Sequence, residues 1–173
     1  MSDEQSGPKL VRELMTVGVL TCPPETPIVD VTRLLLAKDS EGMVVLDEEG
    51  HAVGVVTRDE LVTAYAQDDC ETLTAENIMR ADVPQLPPDI PLSAAAQIMQ
   101  DQNLRVVFLM HHAGGIEYPA AILTYKHLLR HMAMQDEEDL SDLGIDAERQ
   151  SPAEAFAERR DEARRKNIPS EQS

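Results

Sequence analysis

The sequence predicts an α+β fold: two β-α-β-β-α repeats packed with pseudo-two-fold symmetry, then an acidic C-terminal tail carrying one helix. Three observations predict it. A string of prolines and apolar runs recurs 64 residues further along the chain. Within each copy, apolar residues spaced by three and four give way to short continuous apolar runs, in the same order. Past residue 134 the pattern stops and an acidic run, Asp136–Asp139, begins.

The repeat is carried by Leu14-Met15 and Pro23-Pro24-Glu25-Thr26-Pro27-Ile28, which return as Ile78-Met79 and Pro87-Pro88-Asp89-Ile90-Pro91-Leu92. Val19 answers to Val83, and Met43-Val44-Val45-Leu46 to Val107-Phe108-Leu109-Met110. A three-residue insertion within 111–119 shifts the offset to 67. Gly54-Val55-Val56-Thr57 then matches Ala121-Ile122-Leu123-Thr124, and Leu61-Val62 matches Leu128-Leu129.

Each unit opens with a short extended piece, Val19–Thr21 or Val83–Leu86, ending at a Pro-Pro turn. Thr26 reads as an N-cap, with Pro27 at the first helical position. The helix to about Asp39 carries Ile28, Val31, Leu34 and Leu35 on one face; its counterpart, Pro91 to about Gln102, carries Leu92, Ala95, Ile98 and Met99. Two apolar runs follow as a hairpin. Asp47-Glu48-Glu49-Gly50 turns it in the first unit, and a longer loop, His111–Glu117, in the second. A closing helix starts near Arg58 or Tyr125. A unit of about 55–60 residues buries too little surface alone, so the two pack sheet to sheet. The divisions are a flexible N-terminus over 1–8, repeats over 9–70 and 71–134, and the tail over 135–173. In the tail, Ser151-Pro152-Ala153-Glu154 has capping-box spacing, and a helix of about 152–167 follows, either an exposed, partly frayed helix or a docking element with Phe156 as anchor for a partner or a sister subunit.

Charge narrows the function. The net charge is −17 and aromatic residues are 3% of the chain, which argues against nucleic acid and against anionic membranes. No apolar stretch is long enough to span a bilayer. Cys22 and Cys70 lie far apart and belong to no zinc-type cluster, which fits a reducing, cytoplasmic setting. The charge is also uneven: residues 1–74 carry −10, residues 75–135 carry −1 with four of the five histidines, and residues 136–173 carry −6.

The order of elements, together with Gly54-Val55-Val56-Thr57-Arg58-Asp59-Glu60-Leu61, resembles the cystathionine-β-synthase-type (CBS) domain, and two in tandem resemble a Bateman module. The resemblance covers roughly Lys9–Met134. It implies a regulatory protein, not an enzyme, that binds an adenosine-containing ligand between its repeats: AMP, ADP or ATP, the last with Mg2+, or S-adenosylmethionine. It further implies two clefts. One groups Thr57 and Glu60 with Gln85, Val106 and Val107; the other groups Thr124 and His127 with Thr21, Gly42 and Met43. A Thr hydroxyl at a strand-to-helix junction bonds a phosphate or ribose oxygen, and apolar strand residues sandwich the adenine.

Two positions depart from the family motif, which places Asp three residues after the Thr to take the ribose hydroxyls. Glu60 and His127 stand there. The second repeat offers Arg105, Lys126, Arg130 and the histidines, so the charge distribution directs a phosphate to the Thr124 cleft and ribose to the Thr57 cleft. Asp59 is one position off the motif and faces solvent. The departures also suit a rival reading, a ligand-free adaptor of the same fold that recruits a protein partner through its tail.

Other chemistry finds little footing. His127 and His131 have metal-ligand spacing on a helix, but the sequence fixes no third ligand. No nucleophile elbow, P-loop or HExxH motif is present, so no catalytic residue is assigned. Met15, Met43, Met79, Met99 and Met110 fall on apolar faces and read as core. Met132 and Met134, with Leu128 and Leu129, read as part of a homodimer face on the final repeat helix.

Overall fold

The computed structural model describes residues 7–133; the helix expected over about 152–167, with Phe156, together with Met134 and most of the N-terminal segment, lies outside them. In chain order the elements are α1 (Val11–Leu14), β1 (Thr16–Val17), β2 (Thr21–Cys22), α2 (Ile28–Ala37), β3 (Gly42–Leu46) and β4 (Ala52–Thr57). They continue with α3 (Arg58–Tyr65), a 3₁₀ turn at Cys70–Thr72, α4 (Ala75–Ile78), α5 (Leu92–Asp101), β5 (Val106–Ala113), β6 (Ile116–Thr124) and α6 (Tyr125–Ala133).

Two three-stranded sheets result, ordered β2-β3-β4 and β1-β6-β5. Val44 and Val55 from one sheet, with Val19 from the connection before β2, pack against Val106, Phe108 and Ile122 from the other, which is the sheet-to-sheet core the repeat calls for. On the outer face of the first sheet, Val31 and Leu35 of α2 cover Met43, Val45 and Val56. On the outer face of the second, Ala95 and Met99 of α5 cover Val107, Ala121 and Leu123. Alternation along the strands therefore sends odd and even positions to different cores.

The arms that open the two repeats are exchanged. Thr16 and Val17 pair with Ile122 and Ala121 in the second repeat's sheet, and Val11 and Leu14 enter that repeat's core. In return, Arg80 bridges Val55, and Ala75 enters the core of the first repeat. Backbone bonds show the same exchange: Ile28 N–H donates to Leu73 O (3.0 Å) and Leu92 N–H to Lys9 O (2.9 Å), so each arm satisfies an orphan amide at a helix start.

Three local expectations are corrected. Thr26 does not cap α2: its hydroxyl donates back to Pro23 O (2.8 Å) inside the Pro-Pro turn, and Pro27, extended at ψ 138°, takes the N-cap position. Leu73 O supplies the partner that a side-chain cap would have given. The stretch 111–117 is not a loop. Gly114 and Gly115, at φ 61° and 78°, make a two-residue turn of the primed type, so the strands continue through His111↔Tyr118 and Ala113↔Ile116. The insertion lengthens a hairpin. Finally, each repeat opens with a one-turn helix, α1 or α4, too short to leave a periodic signal.

Candidate functional site

At the end of each hairpin a strand becomes a helix at a threonine, and the two junctions are built alike. Thr57 caps α3: its hydroxyl accepts the Asp59 N–H (3.2 Å), while Glu60 Oε2 accepts the Thr57 N–H (2.8 Å) and the Thr57 hydroxyl. At the second junction His127 Nδ1 accepts the Thr124 N–H (3.0 Å) and lies 2.9 Å from the Thr124 hydroxyl. An Nδ1 that accepts a backbone N–H carries no proton, so the imidazole is the Nε2–H tautomer and donates to Thr16 Oγ1 at 2.7 Å. Burial, with Arg130 and Lys126 adding like charge, pushes the His127 pKa down to about 4. Both ring nitrogens are engaged, so His127 is not a partner for His131 in holding a metal.

Around Thr124 opens a cleft of about 340 Å³ between the repeats. Thr124 and His127 line one side, with Ile122, Lys126 and Arg130. The first repeat supplies Thr16, the run Gly18–Leu20 and the turn Lys38–Glu41. Thr16 accepts from His127, so its own hydroxyl proton is left to point at a ligand. Among the described residues Lys38 and Arg130 have no carboxylate partner, whereas Lys126 is ion-paired with Asp39. Neutral Thr donors, free cations and an apolar strand edge suit an anionic group joined to a flat apolar one.

The predicted partners fall close by, one step displaced. Leu20 and Glu41 line the cleft rather than Thr21, Gly42 and Met43. Thr21 is paired with Val44 in the sheet, and the Met43 side chain is fully buried beneath α2. Gly42 lies against Thr57, where an added Cβ would come within 3.2 Å of Cγ2.

At the other junction, Asp59 Oδ2 sits 3.7 Å from Arg105 Nε, bringing the start of α3 to the residue before Val106. Asp59 thus faces a cation of the second repeat as well as solvent. Glu60 Oε1 lies 4.0 Å from Arg80 Nε. Val106 faces the core between the sheets, Val107 is buried under α5, and Gln85 is exposed, donating to Glu117 Oε1 (2.9 Å).

The family profile described as CBS domain matches residues 11–67 and 75–134, one match for each of these units. The chain belongs to the CBS domain family. The CBS pair resembles solved structures of other pairs. One is the CBS domain pair of protein MJ0100 in complex with 5′-methylthioadenosine and S-adenosyl-L-methionine, at 22% identity and TM-score 0.65 over 73% of this chain and 98% of that one. A CBS-domain containing protein ATU1752 from Agrobacterium tumefaciens matches at 20% identity and TM-score 0.64, over 74% of this chain and 96% of that one. CBSX2 in complex with AMP matches at 19% and 0.60, over 73% and 99%. In sequence, the CBS pair is 35% identical over 54 residues to protein MJ1426 of Methanocaldococcus jannaschii, a match spanning 31% of this chain and 32% of that one.

Sequence reasoning missed Thr16, Lys38 and Asp39 as lining residues of the Thr124 cleft. Applying the repeat offset to the arms would have found the first: Thr16 stands where Arg80 does, and these are the residues that meet His127 and Glu60.

Proposed function

We propose that this CBS pair is a regulatory protein that binds an adenosine-containing ligand in the Thr124 cleft and passes its occupancy to a partner. The observation that carries the reading is the cleft itself, built from both repeats, where Thr16 and two cations with no carboxylate partner among the described residues, Lys38 and Arg130, stand beside the apolar edge of Val19 and Ile122. Structural neighbours crystallised with AMP or with S-adenosyl-L-methionine support the ligand class. Ligand bridging the repeats would bias their relative angle, a coupling of about 1–3 kcal/mol. The reading includes no catalytic step, so nucleotide incubated with the protein is recovered intact.

Calorimetry with AMP, ADP, ATP and S-adenosylmethionine, each with and without Mg2+, tests it on the full chain. Binding heat and a raised melting temperature are expected for at least one. Silence from all would leave the adaptor reading, which the use of Glu60 and His127 in helix caps favours. In this reading Mg2+ enters only as a companion of ATP. No helix of the described residues is long and apolar enough to cross a membrane; a cytoplasmic location is part of the proposal.

A homodimer through the closing helices belongs to the same proposal. Val62 and Tyr65 on α3 are 71% and 81% exposed, and Leu129 and Met132 on α6 are 62% and 78% exposed, two apolar pairs at i, i+3 on like faces. Sedimentation should give a dimer mass, and the V62E/L129E variant a monomer with unchanged fold. A monomeric parent protein would exclude the dimer.

A further inference from the structure

The position two residues after each junction threonine makes an ion pair across the repeats, and the two pairs have opposite polarity. Asp59 at the start of α3 meets Arg105, just before β5. Lys126 at the start of α6 meets Asp39, just before β3. An acid at a helix start is favoured by the amide dipole, but a cation there is not; Lys126 stands where an anion would be held. Asp39 supplies that anion from the protein itself.

The turn that presents Asp39 is well anchored. Asp39 adopts φ 48°, and the N–H groups of Lys38, Asp39 and Ser40 close back onto Leu34, Leu36 and Leu35 of α2. Arg58 holds the turn from below: its Nε donates to Ser40 O (3.1 Å), and its guanidinium lies 3.4 Å from both Asp39 Oδ1 and Glu41 Oε1. Asp39 is 66% exposed and Lys126 46%, so the pair is solvent-screened and exchangeable. Both residues line the cleft.

We propose that Asp39 is a specificity-determining counter-anion of the Thr124 cleft, holding Lys126 until an anionic ligand group displaces it. The proposal rests on reading this cleft as a ligand site, but needs only that the ligand carry a phosphate or comparable anion. Uncharged ligands do not engage the exchange. Anionic ones must outcompete a carboxylate already in place, so Asp39 sets a threshold for anion binding that Arg58, by fixing the turn, keeps from relaxing away.

Calorimetric titration of the full chain with sodium pyrophosphate, AMP and adenosine at low salt tests it, comparing the parent protein with D39N, K126Q and D39N/K126Q. D39N is expected to tighten pyrophosphate and AMP about fivefold, an effect that shrinks with added salt, and to leave adenosine unchanged. On the K126Q background the gain should vanish. Equal pyrophosphate affinity in parent and D39N, no pyrophosphate heat with either, or a gain that persists without Lys126 would each overturn the proposal. Adenosine and AMP both silent, with the D39N gain seen for pyrophosphate, would retire the adenosyl reading and leave Asp39 in its role.

Discussion

Replacing Gly54 by Val is expected to cost the protein more than about 3 kcal/mol, read as a fall of roughly 10 °C in melting temperature. Gly54 lies in β4 opposite Val45, where the arm of the second repeat crosses the sheet. A Cβ at this position would stand 2.6 Å from Met79 Sδ and 2.8 Å from Arg80 O. The thioether could swing aside. The carbonyl cannot, because it accepts the Val55 N–H (2.9 Å) while the Arg80 N–H returns a bond to Val55 O (2.9 Å). A branched side chain therefore lifts the arm off the sheet, breaking this two-way bridge and uncovering Val56 and Ala75. The second repeat supplies the comparison: Ala121 occupies the matching position and pairs with Val17 of the other arm, so one methyl is accommodated there. Gly54→Ala is accordingly expected to cost about 1–2 kcal/mol, and Gly54→Val distinctly more. Equal melting temperatures for parent and G54V would show that the exchanged arm contributes nothing to stability.

The arms also show what the sequence could and could not convey. The repeat, its element order and the Thr junctions were legible because prolines, periodic apolar residues and the Thr57 and Thr124 positions are local signals at a fixed offset. The exchange of arms was not. Leu14-Met15 and Ile78-Met79 announce that two equivalent segments exist, but nothing in an apolar dipeptide says which repeat's core receives it. The site shows the same division. Thr124 and His127 lie in the cleft, because a strand-to-helix junction fixes its own residues. Their partners come from the other repeat, where a one-residue displacement along a strand exchanges a cleft-lining Leu20 or Glu41 for a sheet-paired Thr21 or a buried neighbour. Charge counting marked the second junction for anions, and Lys126 and Arg130 do line that cleft, but Arg105, counted with them, pairs with Asp59 at the first junction, where Arg80 also lies near Glu60. What charge counting could not anticipate is that Asp39, from the acidic half, sits on Lys126.

Stability should fall on acidification from about pH 6.5 to pH 4, with His127 contributing about 3 kcal/mol across that interval. In the unfolded chain the imidazole takes a proton below about pH 6.5. In the folded protein it resists until about pH 4, held neutral by burial and by the charges of Arg130 and Lys126. Between these values the unfolded state binds more protons, so lowering the pH favours it; above the window both states are neutral and the full stability is present. The structural consequence is local. A protonated Nδ1 can no longer accept the Thr124 N–H, so the cap at the start of α6 fails at the wall of the cleft. Asp39 does not obscure the effect, because Lys126 first and Arg58 second hold its carboxyl below the ordinary range, so it titrates beneath the window. His127→Asn isolates the term. The protein already uses Asn in this position of a capping box, where Asn77 Oδ1 accepts the Thr74 N–H at 2.8 Å. Asn at 127 would keep the cap, lose the bond to Thr16 and carry no titrating proton. Denaturant unfolding of both proteins at a series of pH values is expected to show H127N less stable by about 1–2 kcal/mol near neutrality, and the two curves converging and then crossing as the pH approaches 4. A constant gap between the curves would mean that His127 is not the buried neutral base at the cleft wall.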